Sequence, residues 1–231
     1  MKKIIMTVAM VVFLVVAGSG WANEITINRF AGYYSGNGGE FNITGIPVSG
    51  YASSALYGGG FETFCLERYE YISPGSKYYA EVSSSNSTAS TTYGNDPISQ
   101  GTAWLYSLFA EGTLSGYNYT PGYYRSASAA ELQETIWWLE GEITYAPTNS
   151  FSSLVTTKFG SESYAKSTVA GNTYGVGVLN LYVDPTKKAN RQDQLILTNP
   201  STPTTVPEPA TMLLLGLGLI GLAGIRSRLK K

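Results

Sequence analysis

Two apolar runs bracket this chain and leave the stretch between them as the part that has to fold. Lys2 and Lys3 precede the run Ile4 to Val16, and Gly20-Trp21-Ala22 follows it with small residues where a signal peptidase reads. Cleavage between Ala22 and Asn23 is the expectation. At the other end, Val206-Pro207-Glu208-Pro209 leads into Ala210 to Ile225, and Arg226-Ser227-Arg228-Leu229-Lys230-Lys231 follows. Pro207 and Pro209 hold the backbone extended and block a helix at the entry. Met212 to Leu222 carries no charge, and the basic cluster would stay on the cytoplasmic side of a membrane. The division expected is a signal peptide over 1–22, a folded body over 23–199, a Pro/Thr linker over 200–206 and a processing segment over 207–231.

The order of Pro-Glu-Pro, apolar run and basic tail resembles the PEP-CTERM sorting signal of Gram-negative bacteria. That resemblance implies recognition by an exosortase, cleavage near Pro207, Glu208 and Pro209, and release toward the cell surface or an extracellular matrix. Membrane contact would be transient and confined to the C-terminal segment. The alternative is a simple membrane anchor, for which the run is short against the usual span of about 20 residues.

Composition excludes several chemistries for the body. The chain has no His and one Cys, Cys65, at a formal net charge of −1. Without His, Ser-His-Asp and Cys-His catalysis in their usual forms are excluded, as are most zinc sites. No broad basic surface for nucleic acid is implied. A lone Cys in an exported chain cannot form an internal disulfide, so it calls for a partner chain, a free thiol or another covalent use. Asn95-Asp96 and Asp184-Pro185 lack calcium-loop spacing and read as turns. No metal or cofactor is expected. The many tyrosines, such as Tyr33, Tyr34, Tyr78, Tyr79, Tyr123 and Tyr124, read as strand residues or as a sugar-binding face.

Local patterns predict strands over Ile25 to Phe30, Glu40 to Ile46 and Phe61 to Ile72, the last a long aromatic strand containing Cys65. Pro74-Gly75 predicts a turn into a hairpin partner over Lys77 to Val82. Helical spacing appears over Ile98 to Leu114 and, more strongly, over Ser128 to Ile143, with Ser128 and Glu131 as a capping box. Strand composition returns over Val176 to Val183 and Gln194 to Thr198. The class expected is α+β: a β-rich domain with strands flanking a central pair of helices.

Two segments stand out together: Phe64-Cys65-Leu66-Glu67, and Gln133-Glu134-Thr135-Ile136-Trp137. As a pair they resemble the thioester domains of bacterial surface adhesins, departing from that pattern at Leu132 and Thr135. The resemblance implies that Cys65 on a strand and Gln133 on a helix join as an internal thioester with loss of ammonia. An external amine or hydroxyl on a surface or matrix polymer then attacks it. Trp137, four residues after Gln133 on the same helical face, would shield the bond, and Glu67 or Tyr69 would shuttle protons. Read without the family, Cys65 is a small buried hydrophobe and the second segment an amphipathic helix. The function expected is single-use covalent adhesion and not enzymatic turnover. The alternative is a non-reactive structural or glycan-binding protein of the biofilm matrix. A hydrolase would need a carboxylate pair such as Glu134 and Glu140, both on one helix.

Overall fold

The structure is a computed structural model that describes residues 23–47, 49–83, 85–87, 95–169, 173–187 and 189–198. The expected signal peptide, the linker and the Pro-Glu-Pro segment with its apolar run lie outside the described residues. Among the described residues, no helix is long and apolar enough to cross a membrane.

The strands are β1 (Asn23–Asn28), β2 (Phe41–Thr44), β3 (Leu56–Tyr57), β4 (Gly60–Thr63), β5 (Lys77–Ser83), β6 (Ser85–Ser87), β7 (Asn95–Pro97), β8 (Val176–Tyr182) and β9 (Asn190–Leu197). Between β7 and β8 come the helices α1 (Gln100–Ala110), α2 (Tyr123–Leu139), α3 (Ser150–Phe159) and α4 (Glu162–Ala165). Seven strands form one antiparallel sheet in the order β3-β4-β2-β1-β5-β8-β9, while β6 and β7 form a small separate ladder.

The sheet curls until its ends meet. Beyond Thr63 the chain runs on beside β9. The Leu195 N–H donates to Phe64 O at 3.1 Å, the Leu66 N–H donates to Asp193 O at 3.1 Å, and Cys65 bridges Gln194. The period-2 alternation of a strand then sorts the side chains. Ile25, Ile27, Phe41, Ile43, Phe61, Leu179, Leu181 and Ile196 pack inside the curl together with Cys65. The opposite face of β8 and β9 (Val176, Val178, Leu195 and Leu197), with Phe64 and Leu66, packs against the helices.

Several expectations are corrected. The strand expected over Phe61 to Ile72 stops at Thr63. Residues after Glu67 find no neighbouring strand, and Tyr69 and Tyr71 stand exposed. Pro74-Gly75 does not join β4 to β5 as a hairpin, because β5 pairs with β1 and β8. Ser128 is not an N-cap. It lies inside α2, which begins five residues earlier after Gly122, and its Oγ donates to Tyr124 O at 3.0 Å. The capping box belongs to α3, where Asn149 and Ser152 bond reciprocally. The central pair of helices is not confirmed: among the described residues four helices lie between β7 and β8, of which α3 and α4 carry too short an apolar pattern to stand out.

Candidate functional site

Cys65 and Gln133 meet in the interior. The pairing of the chain after β4 with β9 turns Cys65 inward, where it is fully buried. Gln133 lies on the buried face of α2, a face it shares with Leu132 and Ile136, and is 1% exposed. The Cys65 Sγ–H donates to Gln133 Oε1 at 3.2 Å.

The surroundings of that amide are unusual. Gln133 Oε1 also accepts the Gly39 N–H at 3.0 Å and the Cys65 N–H at 3.2 Å, while its Nε2 donates to Cys65 O at 2.8 Å. Two backbone N–H groups on one carbonyl oxygen are the arrangement that stabilises negative charge developing there during acyl transfer. The amide is therefore held in one orientation, with its oxygen polarised and the thiol in contact.

The second donor depends on close backbone approach. A Cβ at Gly38 would lie 2.4 Å from Gln133 Cγ, and one at Gly39 would lie 2.8 Å from Thr63 O. Arg29, just after β1, grips this loop. Its Nη1 donates to Gly36 O at 3.1 Å, and its Nη2 donates to Asn37 O at 2.5 Å and Gly38 O at 2.7 Å. From the other side, Glu40 forms a buried two-pronged ion pair with Arg125 of α2: Nε to Oε1 at 2.7 Å and Nη2 to Oε2 at 2.6 Å. The Tyr117 hydroxyl donates to Glu40 Oε1 at 2.6 Å. One helix thus fixes the loop twice, through Arg125 on Glu40 and through Gln133 on Gly39.

Burial, and next the charge of Glu67, push the Cys65 thiol well above the usual range, so the thiol is neutral at rest. The Arg29 charge pulls the other way, as does the Trp137 indole N–H, which lies near the sulfur but outside hydrogen-bonding geometry. Trp137 packs against both core clusters. Glu67 is buried, and its Oε2 accepts the Asp193 N–H at 2.8 Å. Tyr69 instead stands at the surface, 68% exposed. Of the residues singled out by sequence, Cys65, Gln133, Glu67 and Trp137 come together, and Tyr69 lines the approach. Ala22 and the Pro207, Glu208 and Pro209 motif lie outside the described residues, while Asn23 opens β1. Among the described residues, no group of three or more acidic, Cys or His side chains could hold a metal ion.

Sequence reasoning missed Gly39, Arg29 and the Arg125–Glu40 pair. The Gly38-Gly39 doublet before an acidic residue was the available signal, but it reads equally well as a turn. A buried Arg in Tyr-Tyr-Arg-Ser gives none.

Two further buried carboxyls, Glu62 and Glu140, set a pH dependence. Burial, and next the charge of Glu40, push the Glu62 carboxyl up to about 8. Glu140, pushed up to about 7 by burial, accepts the Ser99 N–H and O–H at 3.2 and 2.8 Å. A raised carboxyl favours the fold while protonated, so its contribution is complete below the ordinary glutamate value. It fades as pH climbs through the raised one. Urea unfolding should show the body about 2–4 kcal/mol more stable near about pH 5 than near about pH 9, with Glu62→Gln removing much of the difference. Equal stability at both pH values would contradict this.

Comparison with known proteins bears on the C-terminus. The family described as the PEP-CTERM protein-sorting motif matches residues 205–228. No curated protein and no solved structure matches the chain. The chain carries a PEP-CTERM sorting motif at its C-terminal end, the mark of an exported protein sorted by an exosortase.

Proposed function

We propose that the body is a covalent attachment domain whose Cys65 and Gln133 form an internal thioester. The observation that carries this reading is the polarised Gln133 amide: two backbone N–H groups on its oxygen and the Cys65 sulfur 3.2 Å away. In the closing step, Sγ attacks Cδ and the C–S bond forms as the C–N bond breaks. The thiol proton leaves with the amide nitrogen as ammonia. Placement in one fixed geometry supplies the effective molarity that an inert amide requires. Burial then keeps water from the product, with Trp137 over the bond and the Glu67 carboxylate nearby for the proton. An external amine or hydroxyl later takes the acyl group and frees Cys65. The domain is spent in one reaction and is not an enzyme.

The delivery route fits this use. Signal peptidase would cut after Ala22, and the exosortase near Pro207, Glu208 and Pro209. The apolar run would sit in the inner membrane only until then, leaving the body at the surface or in the extracellular matrix. The second reading, a non-reactive structural or glycan-binding protein of the biofilm matrix, is favoured by the exposed rings of Tyr69 and Tyr71.

Thiol titration separates the two. Denatured in neutral, amine-free buffer, the recombinant body should yield no thiol to an alkylating reagent, and prior methylamine should release one per chain. Gln133→Ala should show the thiol from the start. Gly38→Ala, which drives a Cβ into Gln133, should fold but free most of its thiol as well. Full alkylation of the untreated wild type would leave the matrix reading.

A further inference from the structure

A cavity of about 650 Å³ opens beside Gln133, and its lining says what can reach the bond. Arg29 and Arg68 stand in its wall with Tyr69, Tyr71 and Trp137, and no Asp or Glu side chain lines it. Among the described residues, neither arginine belongs to an ion pair. The nearby Glu142 carboxylate accepts the Arg68 backbone N–H, not its guanidinium. The Arg68 Cζ lies 5.6 Å from the Tyr69 ring and 5.8 Å from the Trp137 ring. Tyr69 and Tyr71 are 68% and 67% exposed, so large aromatic surfaces are left facing the solvent at the entrance.

A Lys side chain reaches such a site as an ammonium ion. It meets two guanidinium ions and no carboxylate in the cavity wall, and it must lose its proton before it can attack. A sugar hydroxyl arrives neutral. Flat aromatic faces suit the C–H faces of pyranose rings, and guanidinium forks suit carboxylates. We infer that the nucleophile is a hydroxyl of a carboxylate-bearing sugar polymer, recognised by the Arg68 guanidinium with Tyr69 and Tyr71, while Arg29, whose Nη atoms hold the Gly36–Gly38 loop, contributes only its positive charge. This rests on the thioester reading above. In the transfer, the hydroxyl oxygen attacks Cδ of Gln133 and a C–O bond forms as the C–S bond breaks. The hydroxyl proton passes to the departing sulfur, leaving an ester at position 133 and a free Cys65 thiol. Gly39 and Cys65 N–H groups hold the carbonyl oxygen throughout.

The test incubates the wild-type body separately with an oligogalacturonate, a neutral malto-oligosaccharide, N-acetyl-lysine methylamide and methylamine, and follows adducts at Gln133 by peptide mass mapping. The uronate adduct should form about tenfold or more faster than either the neutral sugar or the lysine adduct, as expected of electrostatic steering. Arg68→Gln should slow the uronate several-fold but not slow methylamine, which arrives as an ammonium ion and loses a repelling charge. A lysine probe that reacts as fast as the uronate would overturn the inference, and so would an uronate rate indifferent to Arg68→Gln. A body that takes up methylamine but fails these comparisons loses only this inference. One that takes up no methylamine loses the thioester and the inference with it.

Discussion

Arg125→Ala is expected to lower the unfolding free energy by about 3–5 kcal/mol, because it leaves the buried Glu40 carboxyl without its cationic partner. Both partners are buried, with side-chain exposures of 2% and 0%. The guanidinium also donates to Tyr119 O at 2.5 Å and Ser54 O at 3.0 Å, and it lies 4.2 Å from the centre of the Tyr33 ring. Its removal therefore strands several acceptors at once. Arg125→Lys keeps the charge but not the planar fork. It should fold with a smaller loss, and its Gly38–Glu40 loop should present the Gly39 N–H less firmly to Gln133. The readout is urea unfolding together with the fraction of alkylatable thiol. A stability change below about 1 kcal/mol for Arg125→Ala would mean that the pair is no anchor.

The second large effect concerns the cross-link. Cys65 and Gln133 are 68 residues apart, so a bond between them closes a long loop. If it constrains the unfolded chain as a disulfide does, Gln133→Ala should cost about 4 kcal/mol, with lost hydrogen bonds adding to this. Cys65→Ala should lose a similar amount with little change in core volume. Wild-type protein opened with methylamine offers a control that keeps both residues, and it should melt well below the untreated protein. Identical melting before and after methylamine would show that nothing had been cross-linked.

The contrast between what could and could not be read in the sequence is physical. Cys65 and Gln133 were legible through the resemblance of their two segments to bacterial thioester domains; from the residues alone, Cys65 read as a small buried hydrophobe and Gln133 as part of an amphipathic helix. β1 was legible from its period: Ile25 and Ile27 alternate with polar neighbours. The end of β4 at Thr63 was not legible, because the aromatic composition runs on through Tyr69 and Tyr71, whereas the chain leaves β2 at Thr63 and passes to β9 through the single bridge at Cys65. The start of α2 was hidden because its first turn carries two exposed tyrosines and a buried Arg in place of an apolar stripe. The polarising donor at Gly39 was hidden most deeply. It is a backbone group, and it is brought to Gln133 by long-range contacts from Arg29 and Arg125 that no local pattern encodes.

The most direct test is the intact mass of the recombinant body, 23–199, purified in neutral, amine-free buffer. A thioester requires a mass one ammonia below that of the sequence, a deficit absent from Cys65→Ala and Gln133→Ala, and a methylamine adduct that maps to Gln133. A wild-type body at its full sequence mass under those conditions would mean that Cys65 and Gln133 are not joined.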